Sequence, residues 1–462
     1  MTRSMSPFAF VALALFATDL RAATPDSAKV VELAVTSHGA YDVAVSVADE
    51  VGARIAGSPA AARVVVWAEQ KMKSLGLANV HTEPVVVEAW TRGTADRVEL
   101  LGAYARPLRT LALGRSPGTP VTGITADVVE VDSFEALAKL GDKARGKIVF
   151  FNRTMLRSQS FEQYGSVGAL RFRGALEAAK VGAVAALVRS IGTGSHRLPH
   201  TGATSYDPTG TAIPFAALAL EDAELLHRAL ARGPQKIKMT LGCGMRGPVS
   251  SSNVVGEVRG KEKPEEIVVV GAHLDSWDVG DGALDDGAGI GIVLETARLL
   301  KAVGGGKRTL RVVLFMNEEY GLSGAKAYAR DHAAELDRHV AAMEADAGGG
   351  TPLHLIVAGG EAHKSMVDRL ARPLAKYKID RVEIVPDTGA DVSVLQDFGV
   401  PTVGVAQDVS DYFEWHHTDG DTADKLIPAQ LDLAAGIFAA IAVSLVEAKE
   451  LLPRVEQHAP AK

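Results

Sequence analysis

His273 closes an apolar run at 267–272, and the glycine-rich turn behind it carries Asp285 and Asp286. A second apolar run, 310–316, is followed by the adjacent pair Glu318 and Glu319, and a third, 341–345, by Asp346 ahead of glycines. Towards the C-terminus, Trp415-His416-His417-Thr418 offers two more imidazoles, with Asp421 near enough in sequence to accept from a metal-bound ring's other N–H. Singly, each has a plain explanation. His273 reads as a core histidine, Asp285, Asp286 and Asp346 as cap or turn residues, Glu318 and Glu319 as charges at a helix start, and the histidine pair as a surface loop. Jointly, two histidines and three carboxylates form a mixed N/O donor set that suits zinc and tolerates Mn²⁺ or Co²⁺. Two ions sharing one carboxylate would make a hydroxide nucleophile near neutral pH and polarise an amide carbonyl. Of two adjacent glutamates at a strand end, one would ligate while the other faces the water. Such hydrolysis needs no serine or cysteine nucleophile, and the single cysteine, Cys243, lies between glycines that offer nothing to activate it.

Positioning these groups requires strands that end together. Apolar runs at 267–272, 310–316, 341–345, 353–358 and 402–406 alternate with helical stretches, which predicts an α/β fold: a mixed, mainly parallel central sheet flanked by helices. In such sheets ligands gather at the carboxyl ends of strands, where His273, Glu318, Glu319 and Asp346 fall. Residues 27–76 read as a helical lead-in. Short runs such as 121–131, 147–151 and 183–188, with a helix from Gly174, read as an inserted β-rich domain. The expected division is a leader at 1–22, the N-terminal part of the catalytic domain at 23–105, the insert at 106–247, the main catalytic part at 248–455 and a tail at 456–462. The stretch 429–449 is apolar all round, but Asp432 and Glu447 bracket a run too short to cross a bilayer, so a buried core helix is expected.

The 462 residues are 47% hydrophobic and 23% charged, enough for a large core. A net charge of −7 without like-charge blocks leaves no footprint for nucleic acid or an anionic membrane. Arg3, the apolar run 7–17 and Leu20-Arg21-Ala22 have the pattern of a cleaved signal peptide, and a lone cysteine excludes internal disulfides, so a secreted or periplasmic protein is expected.

The order of motifs resembles the M28 family of co-catalytic zinc peptidases, in its carboxypeptidase branch. HLDSWDVGDGALDDGAG at 273–289, NEEYG at 317–321, MEADAG at 343–348 and HHTDGDT at 416–422 carry the likeness, and PHTG at 199–202 is similar to the same branch. The resemblance implies a protease-associated character for the insert and two zinc ions per chain. His273, Asp285 and Asp346 would hold one, and Asp285, Glu319 and His417 the other, with Asp285 bridging. It makes Glu318 the general base, places Asp275 behind His273 to orient it, and prefers His417 to His416 because the family's ligand precedes Thr or Ser. A cis peptide at Asp285-Asp286 is also implied. Asp391 falls where the family shapes its substrate pocket, as a contact for a substrate amine or as a helix cap. The implied activity is a dipeptidase or carboxypeptidase on short peptides with free termini, in a homodimer. An M28 aminopeptidase is the alternative, ahead of a glutaminyl cyclase or a metal-free receptor-like protein.

Overall fold

The computed structural model describes residues 27–456. The expected leader at 1–22 and all but the first residue of the expected tail lie outside them. The helical lead-in is three helices, because two breaks interrupt it. His38, at φ 54°, ends Ser27–Ser37 and starts Gly39–Glu50. Ser58 then caps Pro59–Ser74, accepting from Ala61 N at 3.0 Å, with Pro59 in the first turn where no donor is lost. Ala61, Val64, Ala68 and Met72 form that helix's buried stripe.

A long strand β1 (Ala78–Thr91) leads out to a second sheet. That sheet collects β2 (Asp96–Leu100), β3 (Arg106–Leu108), β4 (Thr110–Ala112), β5 (Ile124–Val131), β6 (Ile148–Phe151), β7 (Ala185–Arg189), β8 (Phe215–Leu218) and β9 (Lys236–Leu241), in the order β3-β2-β9-β5-β6-β7-β8-β4. β5 to β8 run parallel, joined by helices Phe134–Leu140 and Glu162–Lys180, so the insert is α/β in its own right rather than simply β-rich. Its strands begin at Asp96, earlier than the expected 106, since Asp96–Leu100 alternates like a continuation of β1. β10 (Gly244–Val258) returns antiparallel beside β1, with Thr91 opposite Gly244, so the insert enters and leaves through one two-stranded arm.

The core sheet adds β11 (Lys263–His273), β12 (Arg308–Phe315) and β13 (His339–Glu344) in the order β1-β10-β12-β11-β13. β14 (Pro352–Ala358), β15 (Val382–Val385) and β16 (Val403–Gln407) form a three-stranded sheet that a bridge between Ala342 and Thr402 joins to β13. The expectation of a mainly parallel sheet needs correction. β11 is parallel to β12 and β13, but the arm strands pair antiparallel, and so do β14 and β16. The parallel strands are those that carry the site. Every residue of β12 and β13 is buried, as strands covered on both faces require. Val312 and Leu314 join one apolar cluster, Val313 and Phe315 the other.

The helix Pro428–Glu447 is long and apolar enough to span a membrane, yet 78% of its most apolar window is buried inside the protein. It packs on the sheet and on the helices Ser27–Ser37 and Ala288–Ala302, which accounts for apolar residues on all sides. A Cβ on Gly436 would lie 3.0 Å from Ala34 Cβ and 3.1 Å from Val31 Cα, so glycine keeps the crossing with Ser27–Ser37 close.

Candidate metal centre

The parallel register aligns the strand ends. His273 stands opposite Phe315 and Gly271 opposite Glu344, so the chain following each strand emerges on one rim with Glu318, Glu319 and Asp346. His273 is 1% exposed and its Nδ1 donates to the Asp275 carbonyl at 3.0 Å, which points Nε2 at Asp285 Oδ1 (2.9 Å) and Asp346 Oδ1 (3.5 Å). Burial works against charge on this ring, but the Asp285 and Asp346 carboxylates raise its pKa well above the ordinary value.

The peptide between Asp285 and Asp286 is cis. Asp286 faces away from the rim, accepting from His273 N (3.1 Å) and Gly289 N (2.9 Å) and so tying the strand end to the helix behind it. Gly289 must be glycine, because a Cβ there would fall 2.0 Å from the Ala345 carbonyl. The Asp285 carboxylate spans the two imidazoles: Oδ1 is on His273, and Oδ2 is 3.1 Å from His417 Nε2. That Oδ2 has no hydrogen-bond partner despite being buried, and neither has Glu319 Oε1, whose other oxygen is 3.2 Å from the same His417 nitrogen.

Asp421 does not orient His417. Its two oxygens accept from Leu284 N (2.6 Å) and Asp285 N (3.2 Å), fixing the backbone of the carboxylate between the rings. The carbonyl of Thr201, on the insert, takes the His417 Nδ1 proton at 3.2 Å, and Thr201 N donates back to His417 O. His200 adds a bond from Nδ1 to the His416 carbonyl (2.7 Å); burial lowers its pKa to about 3, so the ring is neutral. The PHTG motif thus clamps the histidine loop. His416 stacks on His417 with centroids 3.5 Å apart, its Nε2 is 3.5 Å from Asp285 Oδ2, and burial holds it neutral. His417 is the better-placed donor.

Asp275 stands behind His273 and holds it through its backbone. Its carbonyl orients His273, while its carboxylate accepts from Asn317 N (2.6 Å) and Glu318 N (3.1 Å) and sets the paired glutamates. Asp391 neither caps its helix nor reaches the cavity. It is fully buried, its oxygens are unpartnered, and Glu344 caps Ala390–Asp397 by accepting from Asp391 N and Val392 N. Sequence reasoning missed Arg54, whose buried guanidinium donates to the carbonyls of Leu274, Asp281 and Gly282 and stitches the Asp285 loop together. It also missed Tyr164 and Arg171 on the insert.

Donor atoms of His273, Asp285 and Glu319, of Asp285, His416 and His417, and of His273, Asp286 and Asp346 lie within 4.8 Å of one another in each trio. Both Asp286 oxygens are already committed, and His417 approaches Asp285 more closely than His416 does, at 3.1 against 3.5 Å, so setting Asp286 and His416 aside leaves two histidines and three carboxylates. Burial and then the Asp285 charge push Glu319 up to about 7, and burial with Asp346 and Glu319 raises Glu318 well above the usual range. Crowded carboxylates with unpartnered oxygens are what bound cations relieve, so the residues fit bound metal. The centre opens on a cavity of ≈ 1430 Å³ walled by Asp285, Glu318, Asp346 and His417 from the core and by Tyr164 and Arg171 from the insert.

A profile of Peptidase family M28 matches residues 253–442. Carboxypeptidase Q of Bos taurus is 37% identical over 416 residues, spanning 90% of this chain and 86% of that one. Aminopeptidase YwaD of Bacillus subtilis is 25% identical over 442 residues, spanning 93% and 90%. The crystal structure of a peptidase M28 precursor from Shewanella amazonensis superposes with a TM-score of 0.89 at 38% identity, covering 93% of this chain and 98% of that one.

Proposed function

Because the chain belongs to peptidase family M28, on its carboxypeptidase Q branch, and is a metallopeptidase, we propose that it is a secreted two-zinc exopeptidase. Its substrates on this reading are dipeptides and short peptides with free termini. The observation that carries it is the Asp285 carboxylate standing between His273 and His417, each imidazole having a further carboxylate, Asp346 or Glu319, within 3.5 Å. His273, Asp285 and Asp346 would hold one ion and Asp285, Glu319 and His417 the other. Zinc bound there supplies a Lewis acid that lowers the pKa of water and polarises the scissile carbonyl.

Glu318 lines the cavity without ligating. It takes the proton of the attacking water and returns it to the leaving amine. The insert, which we assign to the protease-associated type, closes one side of the cavity and limits it to short substrates. Export by the leader and pairing into a homodimer belong to the same reading; N-terminal sequencing of the exported protein and sedimentation test them. An aminopeptidase is the second reading, favoured by the likeness to Aminopeptidase YwaD.

Hydrolysis of free, N-acetylated and C-amidated dipeptides separates the two. Loss of cleavage on C-amidation alone supports the carboxypeptidase, and loss on N-acetylation alone overturns it. Glu318→Gln should keep its metal and lose roughly 10²- to 10⁴-fold in kcat; a variant with near-normal turnover would remove Glu318 from its role.

A further inference from the structure

Residues 152–161 join β6 to the insert helix Glu162–Lys180 without helix or strand of their own. The near end of this strap is rooted in the insert: Asn152 N donates to the Val131 carbonyl at 2.8 Å, its Nδ2 donates to Glu130 at 2.5 Å, and Met155 is buried in the apolar core. The far end is rooted by Phe161, whose ring meets those of Phe413 and Tyr412 with centroids 5.4 and 6.3 Å away. Between these roots Leu156, Arg157, Gln159 and Ser160 are exposed. Ser158, Gln159 and Ser160 nevertheless line the cavity, so at this edge a single stretch of chain separates the cavity from solvent.

The middle of the strap is latched to the core by polar contacts with 408–414. Arg157 pairs with Asp411 and Glu414, Gln159 Nε2 donates to Asp408 Oδ2 at 2.8 Å, and Val409 N donates to the Gln159 carbonyl at 3.4 Å. The Arg157 side chain is 48% exposed and that of Asp411 78%, so these charges lie in water, where ion pairs are weak and screened by salt. The junction nearer the metal centre is of another kind: the bonds from His417 to the Thr201 carbonyl and from His200 to the His416 carbonyl are buried. The strap is therefore the part of the wall that can lift from the core while the histidine loop stays in place.

We propose that the strap 152–161, latched through Arg157, sets the length of peptide that the cavity admits: dipeptides are held with the strap closed, and longer chains enter only when it lifts. This rests on the short-peptide reading above. Longer peptides bind only the open form, so their apparent affinity is reduced by the fraction of molecules that are open, and weakening the latch raises that fraction. The test compares kcat/KM of wild type, Arg157→Gln and Asp411→Asn on a dipeptide and on a tetrapeptide that extends it, with zinc content measured alongside. Both variants should keep their zinc and the wild-type rate on the dipeptide, and raise kcat/KM for the tetrapeptide roughly 3- to 10-fold. Added salt should move wild type in the same direction, and Arg157→Gln less. A zinc-loaded Arg157→Gln protein with the wild-type ratio of tetrapeptide to dipeptide cleavage overturns the proposal. Should Arg157→Gln lose zinc, Asp411→Asn decides by the same ratio. A wild type that cleaves the tetrapeptide as well as the dipeptide removes the short-peptide reading and this proposal with it. A wild type that rejects the tetrapeptide beside an unchanged ratio in both variants sinks this proposal alone.

Discussion

Asp421 shows how the centre depends on a residue that touches no candidate ligand side chain. Its carboxylate accepts from Leu284 N and Asp285 N at 2.6 and 3.2 Å, and burial pushes its pKa up to about 7. Without it, the backbone that aims Asp285 at both imidazoles loses two anchors. Asp421→Ala should therefore bind zinc about 10- to 100-fold more weakly while remaining folded, as outer-shell substitutions do. Zinc titration against a chelator checks this, and wild-type affinity would show that Arg54 alone holds the loop. The donor types were legible in the sequence, because imidazoles and carboxylates at strand ends have few purposes in common. The outer partners were not. Asp421 was placed beside His417 by proximity in sequence, but the true partner, Thr201, is 216 residues away.

At the scale of elements, the three apolar runs ending in His273, Glu318 and Asp346 foretold the strands, since runs without polar alternation must be covered on both faces. The insert's start was illegible, because Asp96–Leu100 buries alternate residues just as an arm strand would. β13 begins at His339, whose Nδ1 donates to the Glu335 carbonyl (3.0 Å) and whose Nε2 accepts from the Tyr328 hydroxyl (2.8 Å). Burial lowers its pKa to about 4 from 6.5. The unfolded chain takes up this proton near pH 6.5 and the folded one only near 4, so the contribution is complete above 6.5 and lost as pH falls through that window. The loss is on the order of 3 kcal/mol. Melting temperatures measured from pH 7 to 4.5 should drop for wild type and more shallowly for His339→Gln; parallel slopes would mean that other groups set the acid sensitivity.

Across the whole molecule, the centre belongs to neither half alone. The core supplies every candidate ligand, and the insert supplies the carbonyl that orients His417, the clamp of His200 on the histidine loop, and the Arg171 and Tyr164 wall. A two-stranded arm rather than a flexible linker joins the halves, and Arg92 at its end pairs with Asp278 and Asp96 and donates to Thr201 Oγ1, bracing the join. The change in texture along the chain coincides with the strands that build the second sheet. The mutual dependence of the halves could not be read from the sequence, since it rests on backbone carbonyls that any residue carries. The most direct test is zinc stoichiometry of the intact protein by native mass spectrometry, for wild type and Asp285→Ala. Two zinc ions per wild-type chain, and loss of both when the shared carboxylate is removed, is the predicted result. A wild type that binds none, or an Asp285→Ala protein that still holds two, would contradict a metal pair built around Asp285.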